Sequence, residues 1–181
     1  MDLVLTTNEL SPAWKSVKEQ EEILSTVPVE IGSAFRPLIY SPDIPTSITA
    51  FEEALTSHFE ANNIDNACEG YDCRHMFAPG VYIRELTIPA GHLLVGKLHK
   101  QEHFNFISKG KVTVFTEQGG METLVAPCTM ISKIGTKRVL YTHEETVWSV
   151  VHPTTLTDVD EIESEVIAKT YEDLKTLTVK E

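Results

Sequence analysis

The chain has 181 residues, 41% of them apolar and 23% charged, with a net charge of −12. That balance belongs to a globular protein with enough chain for one compact core, and no apolar run approaches membrane-spanning length. The acidity argues against general nucleic-acid binding and against attachment to anionic membranes.

In chain order, residues 1–10 are too short to classify, although Leu3, Val4 and Leu5 suit an edge strand or a crossing to a neighbouring subunit. MDLVLTTNEL lacks the basic segment and long apolar core of a secretory leader. Ser11-Pro12 predicts a helix start, with Ser as N-cap and Pro at the first helical position. Trp14, Val17, Ile23 and Leu24 mark its packed face up to about Ser25. VPVEIGSAFRPLIYSPDIP, punctuated by prolines, reads as a loop with short extended pieces. Thr46 or Ser47 opens a second helix to about Ala61, striped by Ile48, Phe51, Leu55 and Phe59, with His58 beside the stripe.

NNIDNACEGYDC reads as a loop. Cys68, Cys73 and His75 lack the two-residue gap of zinc ribbons, and no second pair follows, so structural zinc is not expected there. Three cysteines, an odd number, argue against a disulfide framework and predict a reducing, cytoplasmic setting. GVYIRELTIPAGH reads as the first strand pair of a β region, with Tyr82, Arg84 and Leu86 on one face. Lys111 to Thr116 and Glu122 to Val125 form a hairpin across Gln118-Gly119-Gly120. Met130-Ile131, Arg138 to Tyr141 and Thr146 to His152 follow, and Trp148 and Phe106 read as core. Short strands at regular spacing are an all-β barrel signal. Pro153 ends the last strand, and Thr157 with Asp160 predicts a helix from Asp158 to about Ala168. The tail beyond Tyr171 is predicted to be mobile. The expected division is a helical extension over 1–72, a barrel over 73–153, and a helix and tail over 154–181.

The chemistry concentrates in GHLLVGKLHKQEHFNFISKG, Gly91 to Gly110. Side chains two apart on a strand share a face, so Lys97 and His99 point together. With Lys100, Gln101 and Glu102 as a turn, the returning strand of a hairpin opens on His103. Residues 90–152 hold seven Lys or Arg against five Glu, a net of +2, so the remainder carries −14. A locally basic pocket in an acidic protein points to a small anion. Arg138 offers a planar fork for carboxylate or phosphate, and Lys97 a point charge.

The spacing Gly91, Lys97-x-His99, His103, Gly110 resembles the first cupin motif, and Pro127, Lys133-x-Gly135, Arg138, Thr142 the second. In ordinary cupins three His and one Glu bind a divalent metal. Here His99 alone keeps its identity, Lys97 and Arg138 stand where His is usual, and His103 stands where Glu is usual. CRHMFAPGVYIRELTIPAG, GKLHKQEHFNFISKGKVTV and GTKRVLYTHEETVW also look like small cupin-type proteins of tailed bacteriophages, which implies a viral protein made in a bacterial cytoplasm.

The resemblance implies an all-β small cupin barrel, a double-stranded β-helix or jelly roll, with two N-terminal helices and one C-terminal helix. The expected ligand residues are Lys97, His99, His103 and Arg138, then His143 and Tyr141. For a divalent transition metal (Zn, Fe, Mn or Ni), His99 and His103 are the first ligands, with His92, His143, His152 or Glu145 as the third. Lys97 and Arg138, if inward, oppose a cation: at ~4 Å and an effective dielectric of ~20, unit charges repel by about 4 kcal/mol. Three readings stand at this point. One is an anion-binding cupin that sequesters a host metabolite or signal. Another is a cupin enzyme (isomerase, epimerase or dioxygenase), metal-dependent or with a His base. The third is a virion component or binder of a host protein. A homodimer is expected in each.

Overall fold

The computed structural model describes residues 16–41, 43–61 and 71–178. Helix α1 (Val17–Leu24) opens on a reciprocal capping box. The Ser16 hydroxyl accepts from the Glu19 N–H while the Glu19 carboxylate accepts from the Ser16 N–H. The predicted start at Ser11-Pro12, and Trp14, lie outside the described residues, as does Cys68.

The proline-punctuated stretch predicted to be a loop is instead helix α2 (Val29–Ile39), with Pro28 at its N-cap and Pro37 inside it. An interior proline costs about 3 kcal/mol. Burying Phe35, Leu38 and Ile39 against Phe115, Met121 and Val139 returns more, at about 1.5–3 kcal/mol for each large apolar side chain. Tertiary burial wins over local punctuation. Helix α3 (Ile44–Ala61) covers the second predicted helix, with Ile48 fully buried.

The strands are β1 (Asp72–Ala78), β2 (Val81–Ile88), β3 (Leu93–Val95), β4 (Leu98–His99), β5 (His103–Lys109) and β6 (Lys111–Thr116). They continue as β7 (Gly120–Val125), β8 (Cys128–Ser132), β9 (Arg138–Thr142) and β10 (Thr146–Pro153). Two large antiparallel sheets result, ordered β1-β2-β10-β5-β8 and β3-β9-β6-β7, with β4 in a separate two-stranded sheet. Between them lies an apolar core with Leu86, Ile107 and Trp148 from the first sheet and Val112, Val114 and Leu140 from the second. This is the expected all-β jelly roll. At the turn after β5, Gly110 has φ +95°, and a Cβ there would come within 2.5 Å of the Glu145 carbonyl oxygen, so the motif's closing glycine is sterically required.

Four expectations change. Three helices, not two, precede the barrel. Two follow it: α4 (Val159–Val166), N-capped by Asp158, and α5 (Tyr171–Thr178), which occupies the tail predicted to be mobile. Asp173 holds α5 in place by accepting from the Lys169 and Thr170 N–H groups, and the Tyr171 hydroxyl donates to Glu117. Phe106 points outward rather than into the core, because β5 alternates with His103, Asn105 and Ile107 inside. Finally, the stretch around Lys97 and His103 is not a two-stranded hairpin. β4 pairs with β11 (Ile167–Ala168), which follows α4, while β5 pairs with β10 and β8. The C-terminal segment therefore returns to hold the strand that carries His99.

Candidate metal and anion site

His99, His103 and His152 converge on one volume between the sheets. Their ring centroids lie 4.0 Å (His99–His103), 4.8 Å (His103–His152) and 5.1 Å (His99–His152) apart. One nitrogen from each lies within 4.8 Å of the others. His99 Nδ1, His103 Nε2 and His152 Nδ1 are all buried and have no hydrogen-bond partner. His103 is oriented by its other nitrogen, since Nδ1–H donates to the Gln101 carbonyl at 3.0 Å and leaves the Nε2 lone pair free. The backbone fixes His99 from two sides, by pairing with Ile167 and by the Gly135 N–H donating to its carbonyl at 2.9 Å.

Burial keeps these imidazoles neutral. His99 is pushed down to about 2, mainly by burial and then by His103, His152, Arg84 and Arg138. Burial, then His103 and Arg84, takes His152 to about 4. His103 is also lowered by burial, against the pull of its bond to Gln101. Three neutral imidazoles, each with a buried nitrogen that has no hydrogen-bond partner, suit zinc, iron or nickel. The residues fit an ion.

The predicted basic residues take different positions from one another. Lys97 lines the pocket but is ion-paired to Glu163 of α4. Arg138 donates to Ser132 Oγ at 2.7 Å and lies over the Trp148 ring at 5.9 Å. A hydrogen-bond chain anchors it: Trp148 Nε1 donates to Asn105 Oδ1 at 2.9 Å, and Asn105 Nδ2 donates to Ser132 Oγ at 2.7 Å. Burial takes the Arg138 guanidinium down to about 10. Glu163 offsets the Lys97 charge, whereas Arg138 keeps its charge among neutral partners and still opposes a cation.

Two cavities meet at the histidines, an outer one of about 430 Å³ and an inner one of about 100 Å³. Arg84, Lys97 and His99 line both; His152 lines the outer and His103 and Arg138 the inner. Arg84 has no acidic partner among the described residues. Tyr141 and His143 are not brought to this volume. Tyr141 packs in the core beneath the N-terminal helices, and His143 Nε2 bonds Thr113 Oγ1 at 2.7 Å. Nor is His92, whose Nδ1 pairs with the Tyr71 hydroxyl at 2.7 Å.

Two facing antiparallel sheets around a histidine-lined cavity decide the architecture. The chain has the cupin fold. No family model matches it, and no curated protein sequence does. Solved structures are similar over about half of it. An RmlC-like cupin from Methanocaldococcus jannaschii is 15% identical, with TM-score 0.40 over 50% of this chain and 85% of its own. Ectoine synthase from P. lautus is 14% identical, with TM-score 0.44 over 52% and 71%. KdgF from Halomonas sp. is 13% identical, with TM-score 0.41 over 51% and 85%. In this chain, His152 occupies none of the motif positions. Its signal lay in strand alternation, which puts it on the same face as Trp148 and Val150. Arg84, expected either at the pocket mouth or exposed on its strand, lines both cavities, while Asn105 and Ser132 carried no signal of their own.

Proposed function

We propose that the barrel holds one divalent transition metal on His99, His103 and His152, and that a small anion binds beside it against Arg84 and Arg138. The observation that carries this reading is that three histidines bring one nitrogen each within 4.8 Å of the others, while each ring also has a buried nitrogen without a hydrogen-bond partner. Leaving a buried polar atom without a partner costs about 1–3 kcal/mol. The ion supplies Lewis acidity toward an oxygen of the bound molecule. The guanidiniums suit carboxylate or phosphate. α4 closes the outer cavity with Ile162, Glu163 and Val166, excluding water from one side.

The metal-free enzyme reading is disfavoured by the same burial. A general base works best with a pKa near the operating pH, whereas His99 sits at about 2 and His103 is also lowered. Elemental analysis with native mass spectrometry of protein purified without chelator tests the proposal. One zinc, iron, manganese or nickel per chain is expected, and it is lost in His152→Ala. Protein that takes up none of these metals on reconstitution overturns it.

A further inference from the structure

The outer cavity carries a second group of reactive side chains, on β1 and β2, that the proposed metal reading does not use. Cys73 Sγ lies 3.5 Å from His75 Nε2, and His75 Nδ1 lies 2.7 Å from the Tyr82 hydroxyl. The His75 ring also stacks on Tyr82, with centroids 5.9 Å apart and planes 13° from parallel. Tyr82 is buried, so the imidazole is clamped by a fixed neighbour. In the tautomer whose Nδ1–H donates to the Tyr82 oxygen, the Nε2 lone pair faces the thiol. Arg84 stands directly opposite His75 in the β1–β2 register and lines the same cavity. His152, 2% exposed, lines it as well.

We propose that Cys73 is a nucleophile activated by His75, that Tyr82 positions the imidazole, and that the substrate class is a small anion bearing an electrophilic carbon, oriented by Arg84. In the step, the thiol proton passes to His75 Nε2 and sulfur forms a bond to the carbon. The leaving group departs with the electron pair of the bond that breaks. An imidazole that takes the thiol proton makes the sulfur a stronger nucleophile. The assignment is independent of an ion at the three histidines.

Alkylation of the 181-residue chain at pH 7 tests this, with iodoacetate as the anionic probe, iodide as leaving group, and peptide mass spectrometry to locate the label. Burial slows alkylation, so a folded rate above that of the same thiol in urea reports activation. Cys73 is expected to react about tenfold faster folded than unfolded. Cys128, which has no hydrogen-bonded imidazole among the described residues, serves as the internal control and is expected to react more slowly folded than unfolded. His75→Asn is expected to bring Cys73 to or below its unfolded rate. Arg84→Gln is expected to remove the preference for iodoacetate over neutral iodoacetamide. A folded Cys73 rate no greater than the unfolded rate overturns the proposal, as does a His75→Asn protein that keeps the acceleration. Equal preference for the two reagents in the unaltered chain overturns the assignment of an anionic substrate.

Discussion

The two sheets of the barrel share one apolar core but have opposite outer faces. The outer face of the four-stranded sheet is covered by the N-terminal helices, with Phe35, Leu38 and Ile48 buried against Phe115, Met121 and Val139. The five-stranded sheet has no such cover among the described residues. Across it, Met76, Ile83, Val151, Phe104 and Ile131 stand in direct register, one per strand, as an apolar row. Phe104 is 50% exposed and Ile131 56%. That same sheet turns His103, Asn105 and His152 away from the row, onto its inner face. One sheet is stabilised from outside and the other is organised around polar groups inside. The barrel can therefore carry costly buried imidazoles in one wall because the opposite wall is heavily packed.

The largest test removes that packing. Phe35→Ala, at 0% exposure, is expected to cost about 3–5 kcal/mol in urea unfolding. A loss below about 1 kcal/mol would mean that the helices do not stabilise the barrel.

Next comes the cost of the polar wall. His99 and His152 have folded pKa values of about 2 and about 4, against 6.5 for the free side chain. Below pH 6.5 the unfolded chain binds protons that the folded chain does not. Stability is therefore full above that value and falls on acidification, by about 1.4 kcal/mol per pH unit for each imidazole. The His152 contribution stops falling near pH 4, while that of His99 continues toward 2. Urea melts of chelator-treated protein at pH 7, 6 and 5 measure the slope; a flat profile would refute neutral burial.

A smaller effect is expected from Ser132→Ala, which removes an acceptor shared by Arg138 and Asn105. About 1–3 kcal/mol of stability should be lost, with metal stoichiometry unchanged. Loss of metal along with stability would place Ser132 in the ion's support. The smallest effect on folding is expected at the bare face. Phe104→Asp should change stability by about 0.5 kcal/mol or less in a monomer. If the expected homodimer pairs through this face, light scattering should show the unaltered chain as a dimer and the variant as a monomer. A mass that does not change between the two removes the face from assembly.

The strand pattern was readable because it is local. Alternation placed Tyr82, Arg84 and Leu86 on one face, and Gly110 marked a turn that no other residue fits. The convergence of His99 with His103 was readable for the same reason, since both belong to one spaced motif, although the hairpin inferred for them was not formed. Helix α2 was hidden because its prolines argue locally for a loop, while its stability comes from Phe115, Met121 and Val139 far along the chain.

By itself, then, the sequence determined a jelly-roll barrel and two of three converging imidazoles, since short-range periodicity and glycine geometry encode both. Only the tertiary structure decided the third. His152 reaches the pair through the pairing of β10 with β5, while Lys97 is drawn to Glu163 by the returning C-terminal segment. Long-range register and ion pairing are set by how sheets close in three dimensions, and no local spacing in the chain records them.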